Sequence, residues 1–400
     1  MRFMPPRYLD GSRAVALGLD TARVRWDRTC LLSSKSDGNA RREIMINYAV
    51  VGAGWISQIA FLPGVAQSGN SRVAAIVTGD RTKASRLAEF HGVDTIVGYD
   101  DYDTLLASSK IDAVYIALPN DMHADFAIRA ARAGRHVMVE KPLAVNEDAS
   151  LAMIAAAREA NVFLMTAYRL HNEPGTVAVL EHIRAGAIGQ PLFFQSVLSF
   201  QMASGNHRLR EKAWGGPLQD LGVYCINAAR HIFAEEPIEA IAMAQRPRDD
   251  ARFTEVDASV AATLRFPSGG LAQFVASFGG AEIDSYRVVG TLGDLELNPS
   301  YRFDTAMKLR LRVNGETVET SFSQTDHFGA QVAYFSDCIK AGTPPEADGE
   351  EGLADMRTLL AIEKACLTGL PQAIVSPPRI RHPTPDMVRL TPTTDRRLVL

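Results

Sequence analysis

The chain has 400 residues, 46% hydrophobic and 22% charged, with a formal net charge of −4. That length exceeds the usual size of one domain, and the composition is that of a globular protein with ample material for a core. The mild negative charge, with no basic run, argues against a nucleic-acid partner or an anionic membrane surface. No stretch approaches the ~20 apolar residues of a membrane span.

Four cysteines, Cys30, Cys225, Cys338 and Cys366, lie far apart and are expected to be reduced thiols of a cytoplasmic protein. No His, Cys or carboxylate cluster has ligand spacing, so no metal site is expected. Residues 1–44 carry scattered arginines and a Ser/Asp/Gly/Asn stretch from Ser33 to Asn39. They are expected to be a poorly structured leader, with Met45 as a candidate start, or an arm packing on a cofactor or neighbouring subunit. Arg41-Arg42 is not read as an export signal, because a folded-domain strand follows.

From Ile46 the pattern alternates strand and helix. Strands are predicted at 47–51, 73–77, 95–97, 113–117, 136–139 and 162–165, with helices at 55–67, 83–91, 102–108, 123–133 and 149–160 between and after them. The strands lack polar/apolar alternation, as expected when both faces of a sheet are covered. The expected fold class is therefore α/β, with an N-terminal doubly wound domain over residues 45–168. Beyond residue 190 the pattern changes to hairpin-linked strands at 192–200, 238–245, 258–266, 271–278, 309–313 and 316–320. The Asn314-Gly315 pair is a strong two-residue hairpin signal. With helices at 218–233, 327–340 and 350–368, this predicts a second, α+β domain over 169–374 with a large, mostly antiparallel open sheet. Helix 350–368 is expected to pack back towards the first domain, and the proline-rich segment 375–400 to be an extended tail.

Directly after the first strand comes Gly52-Ala53-Gly54-Trp55-Ile56-Ser57, opening a helix. Two glycines there let backbone N–H groups approach a pyrophosphate at the helix N-terminus, so this turn is the expected dinucleotide site. The second strand ends in Thr78, with Arg81 and Lys83 just beyond. An NAD site usually has a carboxylate at that strand end for the ribose 2′-OH. A hydroxyl with two cations suits a 2′-phosphate instead, so NADP is favoured over NAD, with Asp80 as the dissenting residue.

The run Leu118-Pro119-Asn120 with His123, then Gly134-Arg-His136-Val-Met-Val-Glu140-Lys141-Pro142, resembles the glucose–fructose oxidoreductase and inositol dehydrogenase family. The stretch Gly215-Gly216-Pro-Leu-Gln-Asp220-Leu-Gly222-Val-Tyr224, with Arg230 and Glu236-Pro237, is similar to that family's second-domain motif. Tyr168-Arg169-Leu-His171, Arg208-Leu-Arg210 and a tyrosine at 224, where most relatives carry histidine, point to the glucose–fructose oxidoreductase branch.

This resemblance implies an NADP-dependent sugar oxidoreductase acting on CH–OH groups, with Tyr99, Leu118, Pro119, Asn120, His123, Glu140, Lys141 and Arg169 also at the cofactor. It implies an aldose oxidised to its lactone and a ketose reduced by a cofactor that stays bound. A sugar 1-dehydrogenase or carbonyl reductase that releases its cofactor is the alternative, and a non-catalytic dinucleotide-binding regulator the alternative from a different class. The resemblance further implies a homodimer or homotetramer built through the second-domain sheet, whose open surface needs cover.

Lys141 is the expected centre of the chemistry. Its charge, presented where a buried strand ends, can polarise a substrate oxygen and stabilise a nearby phenolate. Asp220 and Tyr224 are four apart on a predicted helix and should share a face. Tyr224 is expected to accept or donate the proton and Asp220 to orient the sugar or Lys141. Tyr168 and Arg169, at the end of the sixth strand, are expected substrate contacts, since ligands of doubly wound folds bind there. His123 is expected to cap or line the cofactor pocket, and Trp214 to stack on a ligand or pack in the core.

Overall fold

The apolar run before the first glycine becomes β1 (Ile46–Val51), the centre of a six-stranded parallel sheet. It is followed by α1 (Leu62–Gln67), β2 (Ser71–Val77), α2 (Arg81–His91), β3 (Thr95–Val97) and α3 (Tyr102–Leu106). Then come β4 (Ala113–Ile116), α4 (His123–Arg132), β5 (His136–Val139), α5 (Glu147–Glu159) and β6 (Leu164–Thr166). The strand order β3-β2-β1-β4-β5-β6 is that of a doubly wound dinucleotide-binding sheet. Its middle strands are sealed on both faces, as their unbroken apolar sequence requires: every residue of β4 is buried. These are features of a computed structural model that describes residues 44–400, which form one compact unit. The expectations for residues 1–43, including Cys30, lie outside the described residues.

After β6 the chain forms α6 (Pro174–Arg184), β7 (Pro191–Ser199), α7 (Val223–Phe233), β8 (Glu239–Gln245), β9 (Ser259–Arg265) and β10 (Leu271–Ser277). Four more strands follow: β11 (Ile283–Gly290), β12 (Gly293–Leu297), β13 (Lys308–Val313) and β14 (Glu316–Ser321). The chain then builds α8 (His327–Ala341), α9 (Gly349–Thr368) and β15 (Gln372–Ala373). The second sheet runs β14-β13-β12-β11-β7-β10-β9-β8-β15, antiparallel except where β7 lies parallel to β10. Asn314 and Gly315 both have positive φ (53° and 81°), the tight hairpin turn read from that dipeptide.

Three differences from the sequence expectation have physical causes. The strands β11 and β12 were not predicted, because charged residues interrupt their apolar pattern. Asp294, buried within β12, is neutralised by Arg287 and Arg312 on the strands either side. Helix α6 was also missed, since its first turn reads Pro-Gly-Thr-Val. The preceding Glu173 carboxylate accepts from the N–H groups of Gly175 and Thr176 and so caps it. The helices predicted from residues 55 and 218 each open on a wide π-type turn, at Ser57–Phe61 and Leu218–Gly222. Such turns recur at functional sites.

The proline-rich tail is extended but does not hang free. Arg379 pairs with Asp348 and Glu351, and the N–H of Asp326 donates to the Thr391 carbonyl. The N–H of Leu400 donates to Gln58 Oε1, whose amide nitrogen holds the Ala53 carbonyl in the glycine turn. Helix α9 lies against both sheets' layers: Arg357 pairs with Glu147 of α5, and Asp355 with Arg230 of α7.

Candidate active site

The parallel sheet presents its C-terminal strand ends along one edge, and the glycine turn sits at the first of them. Gly52 has φ +99°, and a Cβ there would lie 2.4 Å from the Ala117 carbonyl, so only glycine lets β1 turn this close to β4. Ala53 is buried, and nothing stands within 4 Å of where a Cβ on Gly54 would be. That open cradle at a helix start fits a pyrophosphate. The Ser57 hydroxyl closes the turn from behind by donating to the Gly52 carbonyl at 2.6 Å. Ile56 is half-buried, while Trp55 is exposed and meets the Phe303 ring edge-on at 6.3 Å.

At the end of β2 the structure explains the dissenting acid. Asp80 caps α2, its Oδ1 accepting from the Lys83 N–H at 2.9 Å, so it faces its own helix rather than a ribose. Thr78 is buried beside Tyr99, whose ring packs over Gly79. Arg81 is solvent-facing, with only a loose 3.7 Å contact to Asp101, and Lys83 lies 3.9 Å from Asp80. Weak surface pairs of this kind leave both cations available to an anion.

Leu118 and Pro119 lie in the loop just after β4, and the Asn120 amide donates to the Trp214 carbonyl at 3.1 Å, linking the two halves of the chain. The Trp214 indole is tied down in turn, donating to Glu363 at 2.9 Å. His123 is fully buried, with its ring nitrogens 3.0 Å from the carbonyls of Pro142 and Leu118. It pins two loops together instead of presenting a polar atom to the cleft. Burial holds its pKa below the ordinary histidine value.

Lys141 emerges from β5 between β4 and β6. Its Nζ donates to Asp220 Oδ1 at 2.8 Å and to the Asp220 carbonyl at 2.7 Å, and sits 4.7 Å from the centre of the Tyr224 ring. The predicted trio is therefore assembled around one ammonium, with Asp220 on the π-type turn and Tyr224 in the first turn of α7. Burial works against the charge on Lys141, but Asp220 and the Tyr224 phenol outweigh it and raise its pKa. Burial likewise works against ionised Asp220, yet Arg208 and Lys141 hold its carboxyl far below the usual range. Glu140, next in line, accepts from the Tyr115 hydroxyl at 2.6 Å, and burial pushes its pKa up.

Two expected substrate contacts lie deeper than predicted. Arg169 is buried, bound to His327 Nδ1 at 3.0 Å and to the Tyr301 carbonyl, with its guanidinium 5.2 Å from the Tyr224 ring centre. It braces that ring from the turn just after β6. Tyr168 is buried and stacks on His171 at 5.3 Å, its hydroxyl directed at Asp355 without a well-formed hydrogen bond. Its side chain thus faces the interior, away from Lys141.

The structure adds Arg208, which the sequence did not place at the site. Its Nε lies 3.2 Å from Asp220 Oδ2, opposite the oxygen that meets Lys141. The signal was present in Gly215-Gly216. The Gly216 N–H donates to the Arg208 carbonyl at 2.8 Å, and a Cβ on Gly215 would stand 2.2 Å from that same oxygen.

A second concentration of charge surrounds Arg230, which binds Glu236, Glu351 and Asp355 through all its N–H groups. Nearby His171, His231 and Glu351 present ligand-type atoms within 4.8 Å of one another. Each nitrogen already has a partner: His171 meets Glu346 and Asn227, and His231 meets His382 and Glu351. We read this cluster as a hydrogen-bonded interior. The groove of about 730 Å³ under the tail, lined by Arg184, Glu346 and His382, is likewise separate from Lys141. Chemistry, not depth, locates the site.

A glycine-cradled dinucleotide turn facing a lysine, carboxylate and phenol defines a dinucleotide-dependent oxidoreductase. Residues 46–168 match the oxidoreductase family with an NAD-binding Rossmann fold, and residues 176–296 match the GFO/IDH/MocA C-terminal domain. The chain belongs to the GFO/IDH/MocA oxidoreductase family. It is 33% identical over 326 residues to a D-xylose 1-dehydrogenase (NADP(+)) of Haloferax volcanii, covering 80% of this chain and 98% of that one. Among solved structures, aldose-aldose oxidoreductase from Caulobacter crescentus, complexed with glycerol, superposes with a TM-score of 0.79 at 32% identity, covering 82% of this chain and all of the other. A 3-ketoreductase from Actinomadura kijaniata, in complex with NADP, gives 0.74 at 26% identity, covering 80% and 98%.

Proposed function

We propose that this protein is an NADP-dependent aldose oxidoreductase that oxidises the sugar at C1 to a lactone. The carrying observation is the ammonium of Lys141, held between Asp220 and the Tyr224 ring on the edge where the glycine turn opens. Thr78, Arg81 and Lys83, with Asp80 engaged as a helix cap, suit the 2′-phosphate of NADP. NADP-linked relatives support the same reading.

NADP, when bound, supplies the hydride acceptor at its nicotinamide. The residues here orient the sugar and handle its proton. Lys141 has two donors on Asp220 and one left to hold the reacting oxygen, which its charge polarises. Tyr224, positioned by Lys141 and Arg169, takes the hydroxyl proton in oxidation and returns it in reduction. Asp220 keeps Lys141 charged and aimed.

A second half-reaction, in which the retained cofactor reduces another sugar, is supported by the likeness to the aldose-aldose oxidoreductase. Likeness to the xylose dehydrogenases supports release of the cofactor. Adding glucose or xylose to the purified protein, without and with NADP, separates them by the absorbance of reduced nicotinamide. Signal without added NADP means a retained cofactor, and signal only with it a simple dehydrogenase. Absence of signal with any aldose, despite measurable NADP binding, would leave a binding protein.

The outer face of the second sheet exposes Phe193 beside its strand partner Leu271, together with Ile241, Met243 and Ile283. We propose that this face forms a homo-oligomer contact, which Met243→Lys with Leu271→Lys should weaken in analytical ultracentrifugation. Among the described residues, no helix is long and apolar enough to cross a membrane. Free Cys225, Cys338 and Cys366 fit the cytoplasm.

A further inference from the structure

Among the described residues around Asp220, Arg208 is the charged group with the most donors left without partners. Its Nε lies 3.2 Å from Asp220 Oδ2, and among the described residues no hydrogen bond engages either Nη. The side chain is 30% exposed, so the guanidinium is pinned at one end and open at the other. Its backbone is fixed by the Gly215-Gly216 turn, as described above, and by the Arg208 N–H donating to Asn206 Oδ1 at 3.0 Å. A planar fork fixed in this way, with unoccupied N–H groups left accessible, is suited to adjacent oxygen atoms.

The carboxylate of Asp220 sets the spacing. Lys141 occupies Oδ1 and Arg208 faces Oδ2, so the two cations share one carboxylate and sit side by side where a single sugar can meet both. Charge supports a neutral ligand. Lys141 and Arg208 are balanced by Asp220 and Glu140, while Arg169 is occupied by His327, the Tyr301 carbonyl and the surrounding aromatic rings. A phosphorylated sugar would find no uncommitted cation beyond Arg208 itself.

We propose that Arg208 is a specificity residue that binds the hydroxyl next to the reacting carbon, O2 of an aldose oxidised at C1, while Lys141 binds the reacting oxygen. This rests on the aldose reading of the site given above. Recognition of a vicinal diol then distinguishes aldoses with a free 2-hydroxyl from 2-deoxy sugars, because Nη groups that a bound sugar shields from water without offering an acceptor are costly.

Steady-state kinetics on glucose and 2-deoxyglucose, for wild type, Arg208→Met and Arg208→Lys, test this. The wild type should prefer glucose by about 10- to 100-fold in kcat/KM. In Arg208→Met the KM for glucose should rise by a similar factor and the preference over 2-deoxyglucose should vanish. Arg208→Lys should restore part of it. NADP affinity, read by fluorescence titration, should change less than about 3-fold in both variants, which shows that they fold and that Arg208 acts on the sugar. Arg208→Met retaining the wild-type preference for glucose overturns the assignment, as does a wild type that does not discriminate between the two sugars. A wild type that binds NADP but oxidises neither glucose nor xylose overturns the aldose reading itself, and with it this one.

Discussion

Two buried charge clusters lie at opposite ends of one helix, and they differ in what they leave unsatisfied. Around Arg230, near the end of α7, every guanidinium N–H meets a carboxylate, and Asn227, His231 and Arg379 complete the network. Around Asp220, just before α7, Lys141 keeps a free donor and Arg208 keeps its Nη groups. Both clusters pair cations with carboxylates out of water, so burial and ion pairing alone do not mark a functional site. Residual hydrogen-bonding capacity beside a cofactor cradle does. The saturated cluster holds α7, α9 and the tail together, and the unsaturated one is available to a ligand.

Substitutions at the two ends should therefore fail in opposite ways. Lys141→Met should lower kcat/KM for the sugar by about 10³-fold, with unfolding and NADP binding close to wild type because Arg208 still neutralises Asp220. A comparable loss of thermal stability would move Lys141 into the structural class. Arg230→Met should cost about 3–5 kcal/mol in denaturant unfolding, since Glu236, Glu351 and Asp355 would be buried without it. Unchanged stability there would show that the cluster is not what holds α7 to α9. Tyr224→Phe should reduce kcat by about 10²-fold while leaving NADP affinity intact. Removing Arg81 and Lys83 together should weaken NADP by about 10-fold and NAD hardly at all, measured by titration with each cofactor.

The smallest effect expected is a pH dependence of the tail. Burial, then the neighbouring His231, lowers the pKa of His382 from its ordinary 6.5 to about 4, against the opposing pull of Glu346 and Glu351 and with Arg184 nearby. The docked form thus disfavours the proton. Docking is at full strength above pH 6.5 and weakens as the pH falls from there towards 4. Protection factors for hydrogen exchange across residues 376–391, with the intrinsic pH dependence of amide exchange divided out, should fall over that window and lose the dependence in His382→Gln. Protection factors that are flat with pH in the wild type would contradict it.

Much of this was legible in the chain itself. The doubly wound sheet followed from unbroken apolar strands, and the trio from Lys141, Asp220 and Tyr224 in motifs of recognisable spacing. What escaped was set by contacts distant in sequence. Strand β12 is hidden by Asp294, which is tolerable only because Arg287 and Arg312 arrive from other strands. Tyr168 looked like a ligand contact at a strand end, but its ring turns inward to His171. Arg208 was invisible as a site residue because its meaning depends on a carboxylate brought to it by the glycine turn that follows. The docking of the tail escaped because prolines report an extended backbone and say nothing about what it packs on.

Isotope transfer reads whether sugar C1 is the hydride donor at the Lys141 edge. The protein is incubated with NADP and an aldose deuterated at C1, and the reduced nucleotide is isolated and analysed by mass spectrometry and NMR. Deuterium is expected on nicotinamide C4 in the wild type and nearly none with Lys141→Met. Reduced nucleotide without the label would contradict it.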